Sequence, residues 1–282
     1  MRIAISTWHG LGDTVMLTAP LKRYSEVNPN EEIHVFTLKR FGDTSKKLLS
    51  GLPFIAGVHP ILFDAWNDFD SYDEGIRSAI HLSKTYGAGI GVDAIIPTMC
   101  FKSKDEFSVY HNKMFRFAYD LNVTYTDRLQ FRPILSVDET AKQEVGRFLE
   151  PYKRPYVVLH LQGGNSKKSL SNDQLPFLSN LSEGTVFEIG ENIRPKNSHH
   201  VPIGLPDMEF TKALVDACDR VIAIDSIVMH IAFTFEKKTD AIFTMTPAIQ
   251  VVPLWKDYAS FVNFVCVNEN CGKGLEAVRE LK

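Results

Sequence analysis

Two hydrophobic patterns alternate along this chain. One is a short, nearly unbroken apolar run, expected of a strand covered on both faces. Such runs fall at Arg2–Ser6, Ile33–Leu38, Ile55–Leu62, Val92–Ile96, Tyr156–Leu161, Thr185–Ile189, Arg220–Ile224, Asp240–Met245 and Phe261–Val267. The other is a longer segment with apolar residues at helical spacing. It predicts helices over Thr14–Val27, Ser45–Ser50, Glu74–Lys84, Phe107–Leu121, Asp138–Leu149, Asn172–Asn180, Pro206–Asp219, Ile227–Phe235 and Leu275–Lys282. In the first helix the apolar positions are Val15, Leu17, Leu21, Tyr24 and Val27, and Pro20 should kink it. Between the elements lie an acidic aromatic loop at Phe63–Asp73, a flexible glycine turn at Gly87–Gly91 and a polar, proline-rich connection at Glu191–Pro206.

Strand–helix alternation argues for an α/β fold with mostly parallel, covered sheets. The pattern halts at Pro151-Tyr-Lys-Arg-Pro155, which has the composition of a linker, and then restarts. Two Rossmann-like domains are therefore expected, residues 1–152 and 153–282, with the terminal helix able to pack back on the first. The 282 residues carry a net charge of −3, which gives no general attraction to nucleic acid or to an anionic membrane. Nucleic acid is an unlikely partner on that ground, and peripheral membrane contact would need a local patch. The four cysteines, Cys100, Cys218, Cys266 and Cys271, form no Cys-x-x-Cys pair and suit free thiols in a reducing cytoplasm. No apolar h-region precedes the first glycines and no apolar run reaches membrane-span length, so a cytoplasmic location is expected.

Candidate chemistry gathers at three places. The first strand runs into Trp8-His9-Gly10-Leu11-Gly12-Asp13-Thr14, expected to be a glycine turn before a helix start near Thr14. His9, Gly10, Gly12 and Thr14 would then face a ligand outside the strand's carboxyl end, with Asp13 as a helix N-cap, a base, or both. Gly42-Asp43-Thr44 repeats the motif before the second helix, which favours the plain cap. Gly10-x-Gly12 lacks the third glycine of a dinucleotide fingerprint, and no acid ends the second strand. The second place is His160-Leu-Gln-Gly-Gly-Asn-Ser-Lys167-Lys168, where backbone donors and point charges suit a phosphate, against the alternative of a solvated loop. The third is Asp225-Ser226-Ile227-Val-Met-His230, spanning a strand end and a helix start. There Ser226 is expected to cap the helix, its N–H groups can hold a phosphate, and His230 can add a proton donor, or else be an ordinary packed side chain. Asp68-Phe-Asp70 and His199-His200 have no supporting metal set around them.

In order along the chain, these motifs resemble the heptosyltransferase-like glycosyltransferases of family 9, which have the GT-B fold. The carrying residues are Gly12-Asp13 with Thr18-Ala-Pro20, His160 to Lys168, and Ala217-Cys-Asp219 through Asp225-Ser226 and His230 to Ala232. Ile227 stands where that family has a glycine, and Ser169-Leu170 where a tryptophan follows the loop lysine. The resemblance implies an inverting transferase with no cofactor and no metal. It would move a sugar from a nucleotide diphosphate, often ADP-heptose, to a glycan or lipid-linked acceptor such as lipopolysaccharide core. By the same resemblance Asp13 is the general base, Lys167 or Lys168 neutralises the leaving diphosphate, and Ser226, Ile227 and His230 bind it. Glu188, Glu191 and Asp225 are candidates for the nucleotide. The alternatives are a nucleotide-sugar epimerase or hydrolase on the same scaffold, and a non-catalytic nucleotide- or glycan-binding relative.

Overall fold

The structure is a computed structural model that describes residues 1–63, 72–98, 112–127, 131–163, 168–170, 184–190, 200–204, 206–253, 255 and 258–267. The chain forms two compact units, one of residues 1–106 and 110–136, the other of 107–109 and 137–282. No helix among the described residues is long and apolar enough to cross a membrane.

The first unit contains β1 (Arg2–Ser6), α1 (Leu11–Val27), β2 (Glu32–Leu38), α2 (Gly42–Leu49), β3 (Gly57–Leu62), α3 (Tyr72–Gly89), β4 (Ala94–Pro97) and α4 (Lys113–Asp120). Its four strands are parallel in the order β3-β2-β1-β4. Ala4, Trp8, Phe36, Leu38, Leu62 and Ala79 make one buried cluster, so Trp8 belongs to the core rather than to an open turn. At the end of β1 the Ser6 hydroxyl shares a 2.7 Å hydrogen bond with Ser83 of α3, and Thr98 donates to the Ser6 carbonyl. These bonds tie the carboxyl end of β1 to α3 and to the segment that follows β4. On the other flank, α4 buries Met114, Phe117 and Ala118 and packs against α1.

Helix α1 starts at Leu11, so Gly12, Asp13 and Thr14 lie in its first turn, and the expected glycine turn shrinks to His9-Gly10. Pro20 is buried within α1 without ending it. Gly87 and Gly89, expected in a flexible turn, belong to the end of α3. A Cβ on Gly87 would lie 3.3 Å from Val92 Cβ, so the glycine lets the helix end approach the segment that leads into β4.

The second unit contains α5 (Glu139–Leu149), β5 (Tyr156–His160), β6 (Thr185–Ile189), β7 (His200–Gly204), α6 (Met208–Ala217), β8 (Arg220–Ile224), α7 (Ile227–Thr234), β9 (Lys238–Phe243) and β10 (Val262–Cys266). All six strands are parallel, in the order β10-β9-β8-β5-β6-β7. Val157 and Leu159 of β5, Val186 of β6, Ile222 and Ile224 of β8 and Ile242 of β9 share one apolar cluster. Residues at alternate positions of a strand share a face, so His160 lies on the opposite face from Leu159. Asp138 caps α5 by accepting from Thr140 and Ala141 N–H. Although α5 precedes Pro151–Pro155, its Phe148 packs on Phe187 of β6 and Phe210 of α6 with ring centroids 5.5 Å apart, which places this helix in the second unit. β7 was not expected: it lies within the segment read as a polar connection.

Candidate functional site

In the second unit the chain leaves β5 toward β6 and β7 on one side, and returns to β8, β9 and β10 on the other. The gap between β5 and β8 is thus the topological switch point, where open parallel sheets bind ligands beyond their carboxyl ends. His160 ends β5, and Asp225 and Ser226 follow β8. The Asp225 N–H donates to the Ile242 carbonyl at 3.1 Å, continuing the β8–β9 ladder by one residue and fixing the aspartate at the sheet edge.

Three polar pairs meet there. His160 Nδ1 and Ser226 Oγ are 3.0 Å apart. Lys168 Nζ donates to Asp225 Oδ2 at 2.6 Å. His230 Nε2 stands 3.6 Å from Asp225 Oδ1, and both residues are buried. The loop after β5 returns to its own strand through the Leu170 N–H, which donates to the Leu161 carbonyl, and the Ser169 hydroxyl, which accepts from Gly163 N–H. Thr244, after β9, donates to the Lys168 carbonyl. The backbone at Lys168 is therefore anchored to chain on both sides of the switch point, through Leu161 and Gly163 on one and the Thr244 hydroxyl on the other.

Burial pushes the His160 imidazole down to about 4, so near neutral pH the ring is uncharged. A neutral imidazole has one N–H and one bare nitrogen, and the Ser226 hydroxyl can complement either. That pairing has a consequence for α7. Ser226 is its N-cap residue in extended backbone conformation, yet its side chain makes no capping hydrogen bond to the helix. The expectation that Ser226 caps α7 is thus corrected: the hydroxyl that would cover the first-turn N–H groups is engaged with His160. Ile227 is the first helical residue, half-buried, and its N–H belongs to that turn. Glu188 sits on β6, buried one residue before the strand's end. The next glycine, Gly190, has φ +126, and a Cβ there would lie 2.8 Å from Gln162 Oε1. Glycine lets this backbone approach the loop that follows β5.

The first unit has its own switch point, between β1 and β4. Asp13 is the third residue of α1, not its N-cap, and its Oδ2 accepts from the Gly10 N–H at 3.2 Å. Gly10 has no side chain, so only the acid's half of a capping box forms. Asp13 Oδ1 is ion-paired with Lys113, the first residue of α4. Both side chains are mostly buried, 12% and 15% exposed, so this is not a loose surface pair. Thr14 is buried and its hydroxyl donates back to the Gly10 carbonyl, which points it into the helix rather than toward a ligand. His9 is half-buried beside the Trp8 ring.

The sequence motifs thus converge in part. Lys168, Asp225, Ser226, Ile227 and His230 gather at one sheet edge, while Asp13, Gly10, Gly12 and His9 gather in the other unit. Lys167 and Glu191 lie outside the described residues, as do Asp68, Asp70, His199, Cys100, Cys271 and the expected helices at 172–180 and 275–282. Two participants had no role of their own in the sequence analysis. Lys113 sits in a segment whose aromatic periodicity marks only a core helix. His160 opens the second motif, and the signal for its own part was available: a polar residue closing a fully buried strand. Among the described residues no group of three or more His, Cys, Asp or Glu side chains is placed to hold a metal ion.

The fold has counterparts among solved structures. A glycosyl transferase of family 9 from Veillonella parvula superposes with a TM-score of 0.67 at 11% identity, over 94% of this chain and 85% of that one. An E. coli ADP-heptose lps heptosyltransferase II gives 0.64 at 12% identity, over 96% and 92%. The E. coli heptosyltransferase WaaC with ADP gives 0.51 at 10% identity, over 92% and 96%. No protein-family model and no curated protein matches the sequence. What is shared is the fold.

Proposed function

We propose that this protein is an inverting, metal-independent glycosyltransferase of GT-B architecture that acts in the cytoplasm. Its donor would be a sugar on a nucleoside diphosphate, ADP first among them, and its acceptor a hydroxyl of a glycan or lipid-linked glycan. The observation that carries the reading is the cluster at the β5–β8 switch point. It combines a lysine, a histidine and a helix start whose N-cap hydroxyl is engaged elsewhere. An anion arriving there meets a partial positive charge from α7 and an ammonium that can exchange Asp225 for phosphate oxygens. The shared fold with glycosyltransferases supports the same assignment.

In the reaction, the acceptor oxygen bonds to the anomeric carbon as that carbon's bond to the diphosphate oxygen breaks. The acceptor proton passes to the Asp13 carboxylate, and the bonding electron pair leaves with the nucleoside diphosphate, where Lys168 and the α7 N–H groups stabilise it. The GT-B arrangement is part of this proposal, because base and donor site reside in different units. Lys167, Glu188 and Glu191 remain candidates for the remaining donor contacts.

One observation favours a second reading. Both oxygens of Asp13 already have partners within the first unit, Gly10 N–H and Lys113, as they would in a non-catalytic nucleotide- or glycan-binding relative. Two experiments decide. Thermal denaturation with ADP, UDP, GDP and CMP should show stabilisation by a nucleoside diphosphate, rising with concentration and saturating, and unaffected by EDTA. Stabilisation by none of the four would remove the donor site. Incubation with the matching nucleotide sugar and a panel of glycans should then yield a lengthened acceptor and free nucleotide. Nucleotide release with no sugar on any acceptor would point instead to a hydrolase.

A further inference from the structure

We propose that Lys113 is a positioning residue for Asp13, an inference that rests on Asp13 being the base. Helix α4 places it. Asn112 caps this helix by accepting from Met114 N–H at 3.1 Å, and Met114, Phe117 and Ala118 are buried. α4 packs against α1, so the first residue of one helix faces the first turn of the other. At that point the Lys113 ammonium binds Asp13 Oδ1 while the Gly10 N–H binds Oδ2. The carboxylate is thereby fixed at both oxygens, from two elements joined by core packing. A carboxylate oxygen can accept more than one hydrogen bond, so these two contacts do not themselves exclude the acceptor hydroxyl. The ammonium keeps its own proton throughout.

The arrangement does two things for a base. It fixes the carboxylate's direction, which a longer, freer side chain would not. It also sets an opposite charge beside the carboxylate, which favours the ionised form. A base kept ionised remains active in mildly acidic solution, and its cation neighbour sets that lower limit. Gly10 N–H, from the N-cap of the same helix, and the Lys113 ammonium, from α4, both bind the carboxylate.

The test is the pH profile of kcat/KM for sugar transfer in Lys113→Met, Lys113→Arg and Asp13→Asn. With Lys113→Met the acid limb should move up by about one pH unit or more, and kcat/KM at neutral pH should fall. Lys113→Arg keeps the charge and should restore the limb to near its original place. Should the methionine variant fail to fold, Lys113→Gln makes the same comparison. An acid limb that stays put in the uncharged variants overturns the inference, even if their melting temperature falls, since a purely structural staple would behave so. An arginine variant displaced as far as the methionine variant also overturns it, because charge would then not be the cause. If Asp13→Asn keeps full turnover, the base itself is misassigned and the inference falls with it. If that variant is inactive and only the Lys113 limb fails to move, Asp13 stands and Lys113 alone is refuted.

Discussion

The β1–α1 junction and the β8–α7 junction start from the same parts and finish them differently. Each is a parallel strand at a switch point running into a helix, with an acid and a hydroxyl residue beside the first turn. At β1–α1 both side chains bond the backbone of the N-cap residue: Asp13 accepts from Gly10 N–H, and from Lys113 of α4 as well, and Thr14 donates to the Gly10 carbonyl. At β8–α7 both reach across to β5 and its loop: Ser226 pairs with His160, and Asp225 with Lys168 while also standing beside His230 of α7. Neither helix start has a side-chain cap on its first-turn N–H groups, but in α1 the Asp13 carboxylate stands within that turn and disfavours an anion there. A helix start whose side chains are engaged across the sheet keeps its first N–H groups for a ligand. Under the proposed function, this difference assigns the donor's diphosphate to the second junction and the base to the first.

The largest expected effect breaks the first junction's chemistry without breaking its structure. Asp13→Asn keeps an oxygen to accept from Gly10 N–H but removes the base and the charge that Lys113 binds. Transfer should fall about 10²–10⁴-fold, whereas the melting temperature should drop by only a few degrees. Initial rates and thermal denaturation on one preparation check both. Unchanged turnover would make the first junction purely structural and end its contrast with the second.

Next in size is an acid sensitivity confined to the second junction. His160 is held near 4 in the folded chain against about 6.5 when unfolded, so between those values the unfolded state binds one more proton. Stability from this residue is complete above about pH 6.5 and is lost as pH falls toward 4, by about 3 kcal/mol at most. His160→Asn can still hydrogen-bond Ser226 and does not titrate. Urea unfolding at a series of pH values should show the wild-type chain losing stability relative to this variant across that window. Parallel curves would mean that His160 is not buried uncharged.

Much of this fold was legible because its strands follow simple rules. Thr185–Ile189 and Arg220–Ile224 were expected to the residue, being apolar, β-branched runs in the covered part of a parallel sheet. β7 was missed because Pro202 interrupts it, but β7 is an edge strand, where a residue without an N–H loses little. Gly87 was misread because its use, close approach to Val92, depends on a neighbour that only the fold brings near. The site divides in the same way. Asp225, Ser226 and His230 sit close together in sequence, on a strand end and a helix start, and such junctions announce themselves. Lys113 with Asp13, and His160 with Ser226, are pairs 100 and 66 residues apart, and no local pattern links them.

A smaller effect sharpens the charge argument at the second junction. Lys168→Met removes the ammonium that would leave Asp225 for the diphosphate. It should weaken nucleoside diphosphate binding about tenfold, the worth of one hydrogen bond to a charged group. The effect on a nucleoside lacking phosphate should be negligible. Calorimetric titration with both ligands tests it, and an equal loss for both would move Lys168 away from the phosphates.

The smallest effect concerns what the glycines at the first junction are for. Gly10 has φ −64 and ψ 164, ordinary extended backbone open to any residue. A Cβ there would lie 3.8 Å from Asp13 Oδ2, normal contact distance. Gly10→Ala should therefore cost no more than about 1 kcal/mol, the usual penalty for alanine at a helix N-cap. Gly184 is the control. Its φ is +83, and a Cβ would fall 1.9 Å from the Pro155 carbonyl oxygen, so Gly184→Ala must displace backbone and should destabilise several times more. Denaturant unfolding of the two variants side by side measures the difference. If Gly10→Ala unfolds the chain as readily as Gly184→Ala, the β1–α1 turn is a strained loop after all. If it is nearly neutral in stability yet slows transfer, the residue matters for the space it leaves beside Asp13, and the acceptor lies against it.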